Sequence, residues 1–218
     1  MSRDETSLPV LYSSRHCPFS MRARMGIAAS ELCVELREVN LKRKPAQLLE
    51  VSPQGTVPAL VFPFEQVIDQ SMDILRYALK QNDPLQWVPL AVDTKELDAI
   101  VAGNEQLTKA LIRLKHPERF EGEADQTDWA EEALKFFRML EIRLEKNRYL
   151  ADSFITIADI AVVPFVLQYT EFKPEILIRP GLKKLSIWVE GFLKSDLMRK
   201  VMEETKPWKP GDAPVYFP

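Results

Sequence analysis

Hydrophobic and polar positions change rhythm partway along the chain. Over the first eighty residues, short apolar runs alternate with helix-spaced stripes. PVLYSS (9–14) reads as a buried strand, and residues 18–31 as a helix with Met21, Met25 and Ala28 on one stripe. VELREV (34–39) alternates apolar and charged positions, the mark of a half-exposed strand. KPAQLLEV (44–51) predicts a short helix with Pro45 in its first turn, where a missing N–H costs nothing. SPQGTVPALVF is a turn running into a strand, QVID (66–69) a short strand, and SMDILRYALK (71–80) a helix. The order predicts a small mixed sheet with helices packed on it.

NDPLQWVPL (82–90) has two prolines and no periodicity, so it reads as a linker, and beyond it strand signals nearly stop. Leu97, Ile100, Val101, Leu107, Leu111 and Leu114 share one helical face. Trp129, Ala133, Phe136, Phe137, Leu140 and Leu144 share another. ITIADIAVVPFVLQY (155–169) is apolar nearly all round, which predicts a central buried helix kinked by Pro164, since the carbonyl four residues earlier loses its partner. Residues 181–204 supply further helix, and WKPGDAPVYFP a tail extended over the surface. The expected organisation is an α/β unit over 1–81, a linker over 82–91 and an all-helical unit over 92–218.

Composition narrows the function. With 46% apolar and 28% charged residues, the chain is an ordinary globular one. Its net charge of −3 argues against a nucleic-acid partner, which requires a basic face. The most apolar stretch, IADIAVVPFVL, is too short to span a membrane and contains Asp159, so no membrane partner is expected. The polar, acidic start MSRDETSL has no apolar signal core, which predicts a cytoplasmic protein. Seven glycines form neither GxGxxG nor GxxxxGK[ST], and neither GxSxG nor HExxH occurs. Two histidines and two cysteines give no metal-ligand spacing, so no metal is expected.

Candidate chemistry centres on RHCPFS (15–20). Pro18 suits the first turn of a helix, which would set Cys17 at the N-terminal end, where the helix dipole stabilises a thiolate. Arg15, Arg22 and Arg24 add positive charge, and the Ser20 hydroxyl could donate to the sulfur. Ser20 also stands where a redox pair would carry its second cysteine. A mixed disulfide on Cys17 would therefore need an outside thiol to resolve it. The other reading of this segment is a buried, inert cysteine. Two further stretches stand out. Val57-Pro58 in SPQGTVPAL invites a cis peptide, the alternative being an ordinary trans proline at a strand start. Gln70 and Ser71 in DQSMDIL lie at a strand-to-helix turn, where Ser71 could cap the helix or help it take a carboxylate. Cys33 reads as a small packing hydrophobe. His16 could tune the cysteine or be solvated.

RHCPFS followed by MRARM, VNLKRKPAQLLEVSPQGTVPAL and DQSMDIL together resemble the N-terminal half of a glutathione S-transferase of the cysteine type. The likeness is to the omega class and bacterial proteins related to it, and CPFS is also read in chloride intracellular channel proteins. The helical second half fits that family's layout. The resemblance implies the glutathione transferase fold: a thioredoxin-like domain with a mixed four-stranded sheet, then an all-α domain. It implies glutathione as cosubstrate and Cys17 as the catalytic residue that bonds to glutathione sulfur. Val57, before Pro58, would pair through its backbone with the cysteinyl part of glutathione. Gln70 and Ser71 would hold the γ-glutamyl end, and Lys44 and Leu41 would lie at the glycyl end. Gln70 departs from the omega pattern, which has Glu. A small disulfide or an electrophile would be the second substrate, taken near Phe19 and the helix from about residue 94, with dehydroascorbate among the candidates. A homodimer is implied as well. Within the same family, Tyr12 is the alternative activating group. A transferase-fold protein used for interaction, with little catalysis, is the reading from another class. FITIADIAV resembles the family's capping motif, with Thr156 as N-cap and Asp159 as its partner.

Overall fold

The computed structural model describes residues 8–63, 66–88, 94–122, 125 and 127–218. The chain forms two compact units. The first takes in the chain to Gln86 and then Lys194–Pro218, and the second is Trp87–Leu193. Residues 89–91 of the expected linker lie outside the described residues.

In the first unit the elements run β1 (Val10–Ser13), α1 (Pro18–Ser30), β2 (Val34–Glu38), α2 (Ala46–Val51), β3 (Ala59–Val61), β4 (Val67–Ile68) and α3 (Ser71–Gln81). This is the element order that the sequence pattern predicts and the thioredoxin-like layout that the resemblance implies, and the boundaries fall within about two residues of the prediction. Pro45 is the one shift: it precedes α2 as the N-cap, so its fixed φ introduces the helix from outside. Strands β1 and β2 pair in parallel, whereas β1–β3 and β3–β4 are antiparallel. Because strand side chains alternate faces, register assigns each residue a side. Tyr12, level with Arg37 and Ala59, packs with Val39, Leu48 and Val57. Ser13, level with Glu38, faces the other way, toward Arg24 of α1. Helices α1 and α3 lie very close: a Cβ on Gly26 would be 2.6 Å from Leu75 Cδ1 and 3.0 Å from its Cα.

The C-terminal end belongs to the first compact unit. Residues 194–218 pack with the first unit, through α8 (Asp196–Val201) and a fifth strand, β5 (Tyr216–Phe217). The sheet order is β4-β3-β1-β2-β5, with β5 antiparallel to β2. The cause is the open edge of β2. Leu36 N–H donates to Val215 O at 2.7 Å, Trp208 N–H donates to Glu38 O at 2.8 Å, and Phe217 is buried. A two-residue strand pairing with a partner some 180 positions away leaves no local pattern to read.

The second unit contains α4 (Thr94–Lys115), α5 (Trp129–Lys146), α6 (Ile157–Phe172) and α7 (Lys183–Leu193). Leu97, Ile100, Leu107 and Leu111 of α4 are buried, as are Ala133, Phe136, Phe137, Leu140 and Leu144 of α5, whereas Val101, Leu114 and Trp129 are half-buried. Helix α6 is buried nearly all round and continues through Pro164. Its start is a capping box. Asp159 Oδ2 accepts from Thr156 N–H (2.9 Å) and from its hydroxyl (3.1 Å), and Thr156 Oγ1 accepts from Ala158 N–H. The other carboxylate oxygen accepts from Leu150 N–H and Trp188 Nε1–H, both at 2.9 Å. Asp159 is thus the anchor of a helix start and two neighbouring segments. Buried Glu141 does similar work for α7, accepting from Lys184 N–H (2.9 Å) and Leu185 N–H (2.7 Å).

Candidate active site

Strand β1 ends at Ser13 and the chain turns at once. Cys17 N–H donates to Ser14 O at 2.9 Å, and Met21 N–H donates to Cys17 O at 2.9 Å. Cys17 is the N-cap of α1, in extended conformation, and Pro18 opens the helix. The sulfur therefore stands at the positive end of a thirteen-residue helix with no acidic residue in its first turn. It is half-buried, 3.8 Å from Val57 O. The Val57–Pro58 bond is cis and both residues are buried.

The neighbouring polar groups have more specific tasks than sequence could assign. Ser20 is buried, and its hydroxyl oxygen accepts from Ser14 N–H at 3.1 Å, so it fastens the turn. His16 is exposed, and its Nε2 accepts from Arg15 Nε at 3.1 Å. Cys33 is exposed, not packed, at the residue just before β2.

The arginines diverge. Arg22 is only 4% exposed, and its Nη1 donates to Ser71 Oγ at 3.2 Å. Burial, with repulsion from Arg76, pushes its guanidinium down to about 9. Arg24, 1% exposed, turns the other way, donating to Ser13 Oγ (2.7 Å), Val201 O (3.1 Å) and the Glu38 carboxylate. Positive charge next to RHCPFS was legible. Which arginine reaches Ser71 was not, because that contact joins two helices 49 positions apart.

Gln70 is the N-cap of α3, exposed and without a side-chain cap bond, and Ser71 is the first helical residue. The capping expected of Ser71 gives way to its bond with Arg22. Lys44 is exposed, and its stem crosses Gly55: a Cβ there would meet Lys44 Cδ at 3.0 Å and Nζ at 3.2 Å. Gly55 also has φ +61°, so both conformation and space favour glycine. Leu41 is 46% exposed, and no described contact ties it to the others. The structure thus brings Cys17, Val57 and Pro58 together, joins Ser71 to α1 through Arg22, and leaves Leu41 at the surface.

Tyr12 is 3% exposed, and its hydroxyl oxygen accepts from Arg37 Nη1 at 2.7 Å. Burial pushes the phenol up, with Arg37 opposing. A cavity of about 950 Å³ lies on this face of the sheet, lined among others by Val10, Tyr12, Arg37, Gln47 and Val67; Cys17 is not part of its wall. Among the described residues, no cluster of three or more His, Cys, Asp or Glu could hold a metal, and no helix is long and apolar enough to cross a membrane.

Comparison with known proteins agrees with this architecture. Residues 11–87 match the glutathione S-transferase N-terminal domain and residues 104–196 the glutathione S-transferase C-terminal domain. The chain belongs to the glutathione S-transferase superfamily. It is 28% identical over 189 residues to glutathione S-transferase omega-1 of Sus scrofa, covering 84% of this chain and 76% of that protein. It is 25% identical to maleylacetoacetate isomerase of Rattus norvegicus over 221 residues, 95% of this chain and 96% of the rat protein. Among solved structures, a glutathione S-transferase from Methylobacillus flagellatus with glutathione bound superposes with a TM-score of 0.75. That match is 20% identical and covers 88% of this chain and 98% of the other.

Proposed function

We propose that this protein is a glutathione-dependent thiol transferase or reductase working through a glutathionylated Cys17. The observation that carries the reading is the sulfur's place: N-cap of α1, 3.8 Å from the carbonyl of Val57, which precedes cis-Pro58. In the proposed pose the cysteinyl part of glutathione lies extended along Val57. Its γ-glutamyl end meets Gln70 and Ser71, with the Arg22 charge behind Ser71, and its glycyl end lies toward Lys44 and Leu41. Cys17 thiolate attacks the glutathione sulfur of a mixed disulfide. One S–S bond forms on Cys17, the old one breaks, and the departing thiolate takes up a proton. Ser20 cannot attack this adduct, so a second glutathione thiolate does. Glutathione disulfide leaves and the Cys17 thiolate returns. Small glutathionyl disulfides and dehydroascorbate are the substrates in view. The glutathione-rich cytoplasm suits the cycle, and no metal takes part. Assembly as a homodimer is carried over from the family resemblance, and a light-scattering mass of one chain would withdraw it.

Tyr12 is a poor rival: its phenol is buried, held by Arg37 and pushed away from ionisation. The test is glutathione-dependent reduction of a small disulfide. Cys17→Ser should abolish it and Tyr12→Phe should leave it within about threefold of wild type, the loss of one hydrogen bond. The reverse pattern would replace Cys17 with Tyr12 as the activating group. Activity in neither the wild type nor the variants would favour an interaction role.

A further inference from the structure

We infer that Glu38 is a positioning residue for the Cys17 sulfur, holding the turn that delivers it; this rests on the reading of Cys17 as the group that takes up glutathione. Register places Glu38 level with Ser13, the last residue of β1. The chain must then cover Ser14 to Cys17 and set the sulfur at the helix start. Two bonds in that turn are local: Ser14 N–H to Ser20 Oγ, 3.1 Å, and Cys17 N–H to Ser14 O, 2.9 Å. The third comes from outside: Arg15 N–H donates to Glu38 Oε1 at 3.0 Å. Glu38 Oε2 accepts from Arg24, which also holds Ser13 Oγ and Val201 O. The Glu38 carbonyl accepts from Trp208 N–H at 2.8 Å. The anchor is thereby braced from β2, from α1 and from the C-terminal segment.

A buried ion pair is a costly way to fill space. Apolar residues of similar volume pack there as well or better. Glu38 is 8% exposed and Arg24 1%, so the pair is desolvated. Its geometry supplies what an apolar pair cannot. One carboxylate satisfies a backbone N–H of the turn with one oxygen and a guanidinium fixed on α1 with the other. Arg15's own side chain adds little, since its bonds to Glu204 and His16 both lie at the surface. The backbone N–H of residue 15 is the contact that matters.

Glu38→Leu would strand Arg24 and can unfold the first unit, so the deciding comparison is made at Arg15. The Cys17 N–H···Ser14 O bond closes a turn over 14–17 in which Arg15 takes the second position, where proline is favoured. Arg15→Pro removes the N–H, whereas Arg15→Ala keeps it and removes only the side chain's exposed bonds to Glu204 and His16. Full-length wild type and both variants are treated with a concentration series of glutathione disulfide, and adduct formation on Cys17 is followed by mass. In this reaction Cys17 thiolate forms the new S–S bond and one glutathione thiolate leaves. Alkylation of exposed Cys33 by iodoacetamide serves as the control within each molecule. Arg15→Ala should stay within about twofold of wild type. Arg15→Pro should lose about tenfold or more in maximal rate, as a displaced reactive group does, with the half-saturating concentration and Cys33 alkylation unchanged. Arg15→Pro matching Arg15→Ala would overturn the inference about Glu38 and leave the reading of Cys17 intact. So would a change confined to the half-saturating concentration. No adduct on the wild type would overturn the reading of Cys17, and the positioning role with it.

Discussion

Two buried arginines two positions apart on α1 do different work. Arg24 is matched by Glu38, and its charge is spent inside the fold. Burial is the largest influence on the ionisation of both, but Arg24 has Glu38 opposing it, whereas Arg22 lies on Ser71, where in the proposed pose the γ-glutamyl end of glutathione meets it. Below about 9 the guanidinium is charged and attracts a carboxylate. As pH rises through about 9 that attraction is lost, so affinity for an anionic ligand should fall across that window. S-methylglutathione, which has no free thiol, takes thiol ionisation out of the measurement, and comparison with Arg22→Met separates the guanidinium from the ligand's own amino group. By calorimetry at neutral pH, Arg22→Met should bind it at least about tenfold more weakly, the worth of a charge-assisted hydrogen bond. Its affinity should also depend less on pH around 9. Equal affinity in the two proteins would remove Arg22 from the site. Little of this was legible in sequence. Cys17 and Val57-Pro58 announced themselves because proline leaves a local signature. The division of labour between Arg22 and Arg24 depends on partners elsewhere in the chain, at Ser71 and Glu38.

Among elements, those with strong periodicity are legible in the sequence, and those defined by pairing are not. Helices α1, α3, α5 and α6 declare themselves through apolar stripes or an apolar run, and the start of α6 through Thr156 and Asp159. β5 declares nothing, because it exists only by completing the edge of β2. Asp159 belongs to this scale. It accepts four hydrogen bonds that tie the α6 start to Leu150 and Trp188. Burial pushes its carboxyl up, and those four donors oppose the shift. Asp159→Ala leaves buried donors unpaired, each costing about 1–3 kcal/mol. A fall in Tm of several degrees by calorimetry is expected, with the rate of Cys17 modification on the remaining folded protein unchanged. An unchanged Tm with lost chemistry would make Asp159 a catalytic acid instead.

At the scale of the whole chain, the change from alternating strand and helix to helix alone is legible in the pattern, and the two compact units divide between Gln86 and Trp87 and again at Lys194. The return of 194–218 to the first unit is not legible, since Trp208 and Phe217 find their partners at Tyr12, Arg37 and the edge of β2. That return brings Val201, Glu204 and Trp208 to the residues that hold the Cys17 turn. Superfamily membership sets the scaffold, and in the proposed function Cys17 on it takes up glutathione covalently. The most direct test is the intact mass of the protein after exposure to glutathione disulfide, wild type beside Cys17→Ser. One glutathionyl group is expected on Cys17 of the wild type, none at that position in the variant, with its removal by added glutathione. A wild type that gains nothing at Cys17 would contradict the proposed function.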